Sequence, residues 1–209
     1  MKFYDCATAP SPRRARMVIA EKRIDVETVE VDLRAGQQFS EDFIAVNPGC
    51  TVPVLVTDEG ETLCENASIV RYLEALYPDP PLLGTSPIEQ ARVAEWVWRT
   101  EFEGLISVME VLRNTSKAMK DRALPGPDPV PQIPELAERG MARGQRFFKT
   151  LDKRLSETPW LAGDTFSFAD ISAFVFVEFG AWVKMVPGDD LQALAKWRDA
   201  CKARPSGQV

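Results

Sequence analysis

The chain has 209 residues, 45% of them hydrophobic, so it can bury the core of one large domain or of two small ones. Its formal net charge of -6 disfavours a general binder of nucleic acids or of anionic membranes. The chain contains no histidine, which excludes histidine-assisted hydrolysis, histidine general-base catalysis and imidazole metal sites.

The first part of the chain alternates strand and helix patterns. We predict strands over residues 2–4, 27–31, 54–57 and 62–64. We predict helices over residues 12–22, 40–46 and 66–77. The order βαβαββα describes a small α/β domain, to which we assign residues 1–77.

Helix patterns alone follow this first domain. The proline-rich residues 78–87 break regular structure and form a linker. We predict helices over residues 88–119, 135–155, 168–183 and 190–202, so that residues 88–209 form an all-helical domain. A stiff proline-rich loop, residues 124–131, joins the first two of these helices.

A capping-box pattern precedes the third of these helices. Ser167 and Asp170 have the spacing of that motif, and the residues after them are apolar nearly all round the helix. We therefore expect this helix to be the buried centre of the second domain.

A Val-Pro pair opens the third predicted strand. Proline cannot donate to a sheet ladder, and X-Pro is the one peptide link at which the cis form costs little free energy. A cis Pro53 would turn the amide and carbonyl of Val52 outward, where an extended ligand can pair with them as an extra strand. The alternative is that Pro53 merely begins the strand.

The Glu65-Asn66 pair lies where a predicted strand gives way to a helix. Asn66 is a favourable N-cap residue, and the unpaired amides of a first helical turn suit a ligand carboxylate. Glu65 can bind a ligand ammonium group. The alternative is an ordinary capped helix with an acidic residue at its start.

The cysteines at positions 6, 50, 64 and 201 show no C-x-x-C spacing. This disfavours a disulfide framework or a four-thiolate zinc site, and we expect reduced, mostly buried thiols. No apolar window is long enough to span a membrane, and the start of the chain lacks the apolar run of a signal peptide. We therefore expect a cytoplasmic protein that needs no metal and no tightly bound organic cofactor.

Taken in order, these motifs resemble those of the cytosolic glutathione S-transferases. The resemblance runs nearly end to end and implies an N-terminal thioredoxin-like βαβαββα domain followed by a C-terminal helical bundle. Besides the pairs and the capping box described above, four segments carry it: Arg13-Arg14-Ala15-Arg16-Met17, Asn47-Pro48-Gly49, Arg71-Tyr72-Leu73 and Trp160-Leu161-Ala162-Gly163-Asp164.

The resemblance implies a glutathione site in the first domain. It makes Val52 the backbone partner of the cysteinyl moiety, with the cis proline after it as a hinge. Glu65 and Asn66 would hold the γ-glutamyl end, although serine is usual at the position of Asn66. Gln38 and Thr51 stand where theta-like members place a histidine and a lysine for the glycine carboxylate.

The chain departs from the family at the catalytic position. Members with a serine or cysteine activator carry it where this chain has Ala9, which cannot act on a thiol. Tyr4 lies in the strand where some classes keep a tyrosine. The chain therefore resembles an atypical microbial branch without a standard catalytic side chain. We predict that Ser11 is the N-cap of the first helix, with Pro12 as its first residue and the glutathione sulfur over this helix end.

Activation of the thiol needs more than the helix dipole. Lowering a thiol pKa of about 8.5 by about two units requires about 2.7 kcal/mol of preferential thiolate stabilisation. The dipole supplies about 0.3 to 1 kcal/mol, and a charge-assisted hydrogen bond supplies about 1.5 to 3 kcal/mol. We predict that Ser11 donates this bond, with Thr8 as the reserve. A pure N-cap role for Ser11, with activation by a backbone amide or a water, is the alternative.

We expect a glutathione transferase that joins the thiolate of glutathione to a small hydrophobic electrophile held between the first domain and the helices after residue 87. The resemblance implies a homodimer. Five residues of the second domain are candidates for the electrophile pocket: Phe102, Met109, Arg113, Asn114 and Ser116.

Two other functions stay open. One is a non-catalytic module that binds glutathione or hydrophobic ligands. The other is a glutathione-dependent thiol oxidoreductase or peroxidase that uses Cys6 through a mixed disulfide. The alternative for Cys6 is a buried structural thiol.

Overall fold

In a computed structural model, which describes all 209 residues, the chain forms two compact units. Unit 1 comprises Met1–Pro80, Leu124–Asp128 and Val209, and unit 2 comprises Pro81–Ala123 and Pro129–Gln208. Part of the proline-rich loop therefore belongs to unit 1, although it lies far from that unit in sequence. The domain boundaries assigned from the sequence stay a prediction.

Unit 1 contains the predicted βαβαββα order, in which a short 3-10 turn, Gln37–Phe39, precedes the second helix. Its elements are β1 (Lys2–Asp5), α1 (Pro10–Glu21), β2 (Glu27–Glu30), α2 (Glu41–Val46), β3 (Val54–Val56), β4 (Thr62–Leu63) and α3 (Asn66–Leu76). The sheet order is β2-β1-β3-β4. β1 runs parallel to β2 and antiparallel to β3, which pairs antiparallel with β4. The predicted fold of this part of the chain is confirmed.

A buried lysine joins the ends of two helices in unit 1. The side chain of Lys22, which follows α1, is fully buried, and its Nζ lies 2.7 Å from Glu74 Oε2 of α3. The same Nζ donates to the carbonyls of Tyr77 and Pro80 at 2.6 and 2.8 Å. All three partners compensate the desolvation of the ammonium, so this cation fixes the end of α3 against the end of α1.

The predicted start of α1 is wrong by two residues, whereas α3 begins at residue 66 as predicted and only its N-cap differs. α1 begins at Pro10 with Ala9 as its N-cap, so Ser11 lies inside the first turn. The preference for proline at the first helical position is met by Pro10 instead of Pro12. α3 begins at Asn66 with Glu65 as its N-cap. Neither N-cap residue accepts a hydrogen bond through its side chain.

Unit 2 is helical, as predicted. Its helices are α4 (Pro87–Arg99), α5 (Ile106–Thr115), α6 (Pro134–Leu155), α7 (Phe168–Gly180) and α8 (Gln192–Lys202). None of the helices combines the length and the apolarity that crossing a bilayer requires.

The single helix predicted over residues 88–119 is interrupted by a π-helical segment, Thr100–Leu105, and a 3-10 turn follows its end. Gly104 in the π segment lies so close to Phe176 that an added Cβ would be 2.9 Å from that ring. π segments insert one extra residue into a turn, often at functional sites. A hydrophobic period cannot show such an insertion, which explains the error.

α7 is the buried centre of unit 2, as predicted, and the capping box at its start is present. Asp170 Oδ1 accepts from the Leu161 amide and from Trp197 Nε1, both at 3.0 Å. Its Oδ2 accepts from the amide and the hydroxyl of Ser167, also at 3.0 Å. Burial raises the pKa of Asp170 to about 6, and these hydrogen bonds act in the opposite direction.

We predict that Asp170→Ala lowers the free energy of unfolding by about 3 kcal/mol or more, because it leaves buried donors of Leu161, Ser167 and Trp197 without an acceptor. Glu89→Ala, which removes the corresponding carboxylate from the half-buried capping box of α4, is the matched control and should cost clearly less. Urea unfolding measures both. Equal losses would contradict the role given to burial.

The raised pKa of Asp170 also predicts a pH dependence of stability. The carboxyl has an ordinary pKa of 3.8 and a folded-state pKa of about 6, so the folded chain holds the proton more tightly. The stabilisation that the protonated Asp170 carboxyl gives the folded chain is complete below about pH 4. It is lost as the pH rises through about 6. The difference in unfolding free energy between the wild type and Asp170→Asn should therefore fall over this range and then level off. A difference that does not change with pH would contradict the assignment.

Candidate functional site

The loop before β3 is fixed by a buried asparagine. Asn47 Nδ2 donates to the carbonyl and the hydroxyl of Thr51 at 2.9 and 3.1 Å. Its Oδ1 accepts from the Gly49 amide at 2.9 Å. The loop leads into a cis Val52–Pro53 peptide bond, which confirms that prediction.

Val52 presents its backbone while its side chain is buried. The side chain lies in a core cluster with Cys6, Phe43 and Val54. Neither its amide nor its carbonyl makes a hydrogen bond within the chain, because β3 begins two residues later. An extended ligand can therefore pair with this residue as an additional strand.

The start of α3 has two unused donors. The amides of Ser68 and Ile69 both donate to the Glu65 carbonyl, at 3.0 and 2.9 Å. The amides of Asn66 and Ala67, the two residues before Ser68, have no acceptor in the chain. Together with the helix dipole, they form a place for a carboxylate, next to the exposed acid of Glu65.

The Asn66 side chain joins the starts of α3 and α1. Its Nδ2 donates to both the carbonyl and the hydroxyl oxygen of Ser11, each at 3.1 Å. Its buried Oδ1 has no hydrogen-bond partner. The structure thus brings together two predicted site residues and leaves a buried acceptor beside them for a ligand donor.

The start of α1 offers a single unused backbone donor. Pro10 and Pro12 have no N–H, and the Ala9 amide donates to the Cys6 carbonyl at 2.9 Å. The Ser11 amide is therefore the one free N–H of the first turn. An anion at this helix end would be held by that amide, by the dipole and by the Ser11 hydroxyl.

The turn before α1 is held from two sides. Arg16 donates to the Asp5 carboxylate at 2.7 Å and to the carbonyls of Cys6 and Ala7 at 3.3 and 3.1 Å. Both carboxylate oxygens of Glu30 accept from the Ala7 amide, at 3.0 and 3.2 Å. Burial raises the pKa of Asp5, while the Arg16 charge opposes that shift. The Arg16 guanidinium thus stabilises the conformation of this turn.

The other candidates of unit 1 are placed differently. Thr8 is exposed, with its hydroxyl 3.6 Å from the sulfur of Cys6, which is 4% exposed. Tyr4 packs edge-on against Phe43. Gln38 is buried, its Oε1 has no partner, and no hydrogen bond links it to the other candidates.

The candidates of unit 2 split into two groups. Phe102 is 47% exposed and stacks on Trp98 at a centroid distance of 6.0 Å, whereas Met109 is half-buried. The side chains of Arg113 and Asn114 bind neighbouring backbone, whereas Ser116 accepts a side-chain donor through its own carbonyl. These contacts are Arg113 Nη1 to the Arg122 carbonyl at 2.7 Å, Asn114 Nδ2 to the Glu110 carbonyl at 2.8 Å, the Ile133 amide to Asn114 Oδ1 at 2.9 Å, and Gln132 Nε2 to the Ser116 carbonyl at 2.9 Å. The pocket role of this set stays a prediction.

Sequence reasoning missed two features of the site. The lone Ser11 amide is readable from the Pro-Ser-Pro spacing once the helix is known to begin at Pro10. The bond from Asn66 to Ser11 joins residues 55 positions apart, and no local pattern signals it.

Comparison with known proteins places the chain in a family. Models of the glutathione S-transferase N-terminal and C-terminal domains match residues 8–76 and 113–205. Glutathione S-transferase 2 of Saccharomyces cerevisiae is 32% identical over 214 residues, which cover 99% of this chain and 87% of the relative. The disulfide-bond oxidoreductase YfcG of Escherichia coli is 27% identical over 96% of this chain and 89% of the relative.

Solved structures agree with these matches. A glutathione S-transferase domain-containing protein of Marinobacter aquaeolei superposes with a TM-score of 0.91 at 32% identity, and the match covers 99% of both chains. Gtt2 of Saccharomyces cerevisiae superposes with a TM-score of 0.90 at 30% identity and covers 100% of this chain and 99% of its own. The predicted combination of a thioredoxin-like domain and a helical domain is confirmed, and the chain belongs to the glutathione S-transferase family.

Proposed function

We propose that the protein is a glutathione transferase, in which the thiolate of glutathione attacks a small, soft, apolar electrophile. The observation that carries this proposal is a set of unused polar groups in unit 1. They are the backbone of Val52, the first-turn amides of α3 and α1, and the buried oxygen of Asn66. A tripeptide with a carboxylate at each end, an ammonium group and a thiol complements such a set.

Each part of glutathione has a partner in this proposal. The cysteinyl amide and carbonyl pair with the backbone of Val52. The γ-glutamyl carboxylate binds the amides of Asn66 and Ala67 at the start of α3, and its ammonium group donates to Asn66 Oδ1 and to Glu65. A buried acceptor without a donor costs about 1 to 3 kcal/mol, so satisfying Asn66 Oδ1 favours the bound state.

The glycine end is the weak part of the fit. Gln38 and Thr51 carry no charge, and Thr51 is already bonded to Asn47. The glycine carboxylate therefore meets neutral groups instead of cations, and we expect a lower affinity for glutathione than a lysine at this position would give.

Ser11 is the proposed activator of the thiol. Its hydroxyl oxygen accepts from Asn66, so its hydrogen is free to point to the sulfur. Its amide is the free donor at the same helix end. Two donors and the dipole together reach the stabilisation of about 2.7 kcal/mol that a thiol ionised at neutral pH requires. The thiol proton leaves to solvent, and the thiolate forms the sulfur–carbon bond. The displaced electron pair departs with a leaving group or, where the electrophile has none, takes up a proton from solvent.

We predict that Ser11→Ala lowers kcat/KM for conjugation about tenfold at neutral pH, because the hydroxyl is lost and the amide is kept. Ser11→Pro, which also removes the amide at a position where a helix tolerates proline, should lower it further. Thiolate absorbance of bound glutathione should show the thiol pKa rising in the same order.

Ser156→Ala, at an exposed serine of unit 2, is the control and should leave both quantities unchanged. Circular dichroism checks that Ser11→Pro is folded. If both Ser11 variants kept the wild-type kcat/KM and the wild-type thiol pKa, the thiol would not be activated at the start of α1, which would contradict the proposal.

A redox function has one observation in its favour, the relative named as a disulfide-bond oxidoreductase. Cys6 is the candidate, but it is buried in a core cluster with Val31, Phe43 and Val54. We therefore predict that Cys6→Ala retains conjugation of chlorodinitrobenzene. Loss of thiol–disulfide exchange together with conjugation would instead support the oxidoreductase, and glutathione binding without either activity in the wild type would support a binding module.

The proposal includes three further features. The stacked pair of Trp98 and Phe102 offers an apolar, aromatic surface suited to the electrophile. The protein works as a homodimer in the cytoplasm, where its four free cysteines stay reduced. The reaction needs no metal or bound cofactor, because the nucleophile is the sulfur of the co-substrate.

A further inference from the structure

Unit 2 contains a cavity of about 720 Å³ whose charge is opposite to that of the protein. It lies between α4 and the end of α6. Two of the side chains that line it are acidic, Glu95 and Glu157, and five are basic: Arg92, Arg99, Lys149, Lys153 and Arg154. The lining side chains thus carry a net charge of +3, or +2 when Glu103, the ion-pair partner of Arg99, is counted, on a chain whose net charge is -6.

Two of the cations are fixed in place on one indole ring. The guanidinium carbons of Arg99 and Arg154 lie 4.7 and 5.8 Å from the ring centroid of Trp96, which is 7% exposed. Each is anchored through its Nε, Arg99 to Glu103 at 3.0 Å and Arg154 to the Leu161 carbonyl at 2.9 Å. Fixing Nε orients each guanidinium, while terminal amino groups remain to donate to a ligand.

The other three cations are not neutralised within the chain. The side chains of Arg92, Lys149 and Lys153 are exposed and take part in no ion pair or hydrogen bond. Lys149 and Lys153 are four residues apart on α6, and like charges at that spacing destabilise a helix. An anion in the cavity would remove this repulsion and would meet two oriented guanidinium groups.

The size of the cavity limits the choice of anion. A volume of this order is typical of small-molecule sites and greatly exceeds that of a single inorganic ion. The forked donors of arginine match phosphoryl oxygens, and lysines bind phosphate as point charges. We propose that this cavity binds a small organic phosphate ester carrying two or more phosphoryl groups, separately from glutathione.

Calorimetric titration of the full chain tests this proposal, with ATP and inorganic pyrophosphate as probes and adenosine as the uncharged control. ATP should bind, with an affinity that falls as salt is raised, and adenosine should not bind. Pyrophosphate binding more weakly than ATP indicates a site for the whole ester, whereas equal binding would show that the phosphoryl groups alone are recognised and would overturn the ester assignment.

Lys149→Gln/Lys153→Gln should weaken ATP binding about tenfold, since two charged contacts are lost. Arg146→Gln/Lys196→Gln removes the same charge from exposed positions outside the cavity and should change the affinity less than about twofold. Both double variants should bind glutathione like the wild type, so the outcome does not depend on the proposed transferase function.

Two results would overturn the proposal: no ATP binding by the wild type at low salt, and equal affinity in the two double variants. In the first case, a change of sedimentation mass in Lys149→Gln/Lys153→Gln would assign the cavity to an interface between copies of the chain.

Discussion

The candidate glutathione site depends on one buried side-chain amide, that of Asn66. Its two donated hydrogen bonds reach the carbonyl and the hydroxyl of Ser11 and so couple the start of α3 to the start of α1. Because the amide hydrogens are spent in this way, the oxygen of the same group is left buried without a donor. A single residue thereby orients Ser11, the proposed activator, and holds a buried acceptor at the candidate site.

The local sequence of α1 leaves few hydrogen-bond donors at the helix start, so the position of Ser11 matters more. Two prolines remove two of the first-turn donors, and the turn before the helix consumes a third through the Cys6 carbonyl. The Ser11 amide is therefore the one backbone donor that stays free in the first turn. A chain that has alanine at the usual activating position thus still has two donors, one backbone and one side chain, at its first helix.

Much of the fold was readable from the sequence because local and global signals agree. Alternating strand and helix patterns gave the order in unit 1, and the Ser167 capping box located the buried helix of unit 2. The Val-Pro pair and the Glu-Asn pair identified two segments of the candidate site for the same reason, since proline and N-terminal helix residues have narrow structural uses.

The predictions from sequence were wrong where contacts between residues distant in sequence override the local pattern. Ser11 and Asn66 both have good N-cap side chains, but they bond to each other instead of capping their own helices. The π segment around Gly104 reflects packing against Phe176, a residue more than 70 positions away. The basic cavity of unit 2 was missed because its cations alternate with polar and apolar residues along two separate helices.

The most direct test is a crystal structure of the chain with S-methylglutathione. We predict that the ligand's cysteinyl backbone pairs with Val52 and that its sulfur lies within hydrogen-bonding distance of the Ser11 amide, with the ammonium group on Asn66 Oδ1. A ligand that leaves the Val52 backbone unpaired, or a sulfur directed away from the start of α1, would contradict the coupling of Asn66 and Ser11 as the basis of the site.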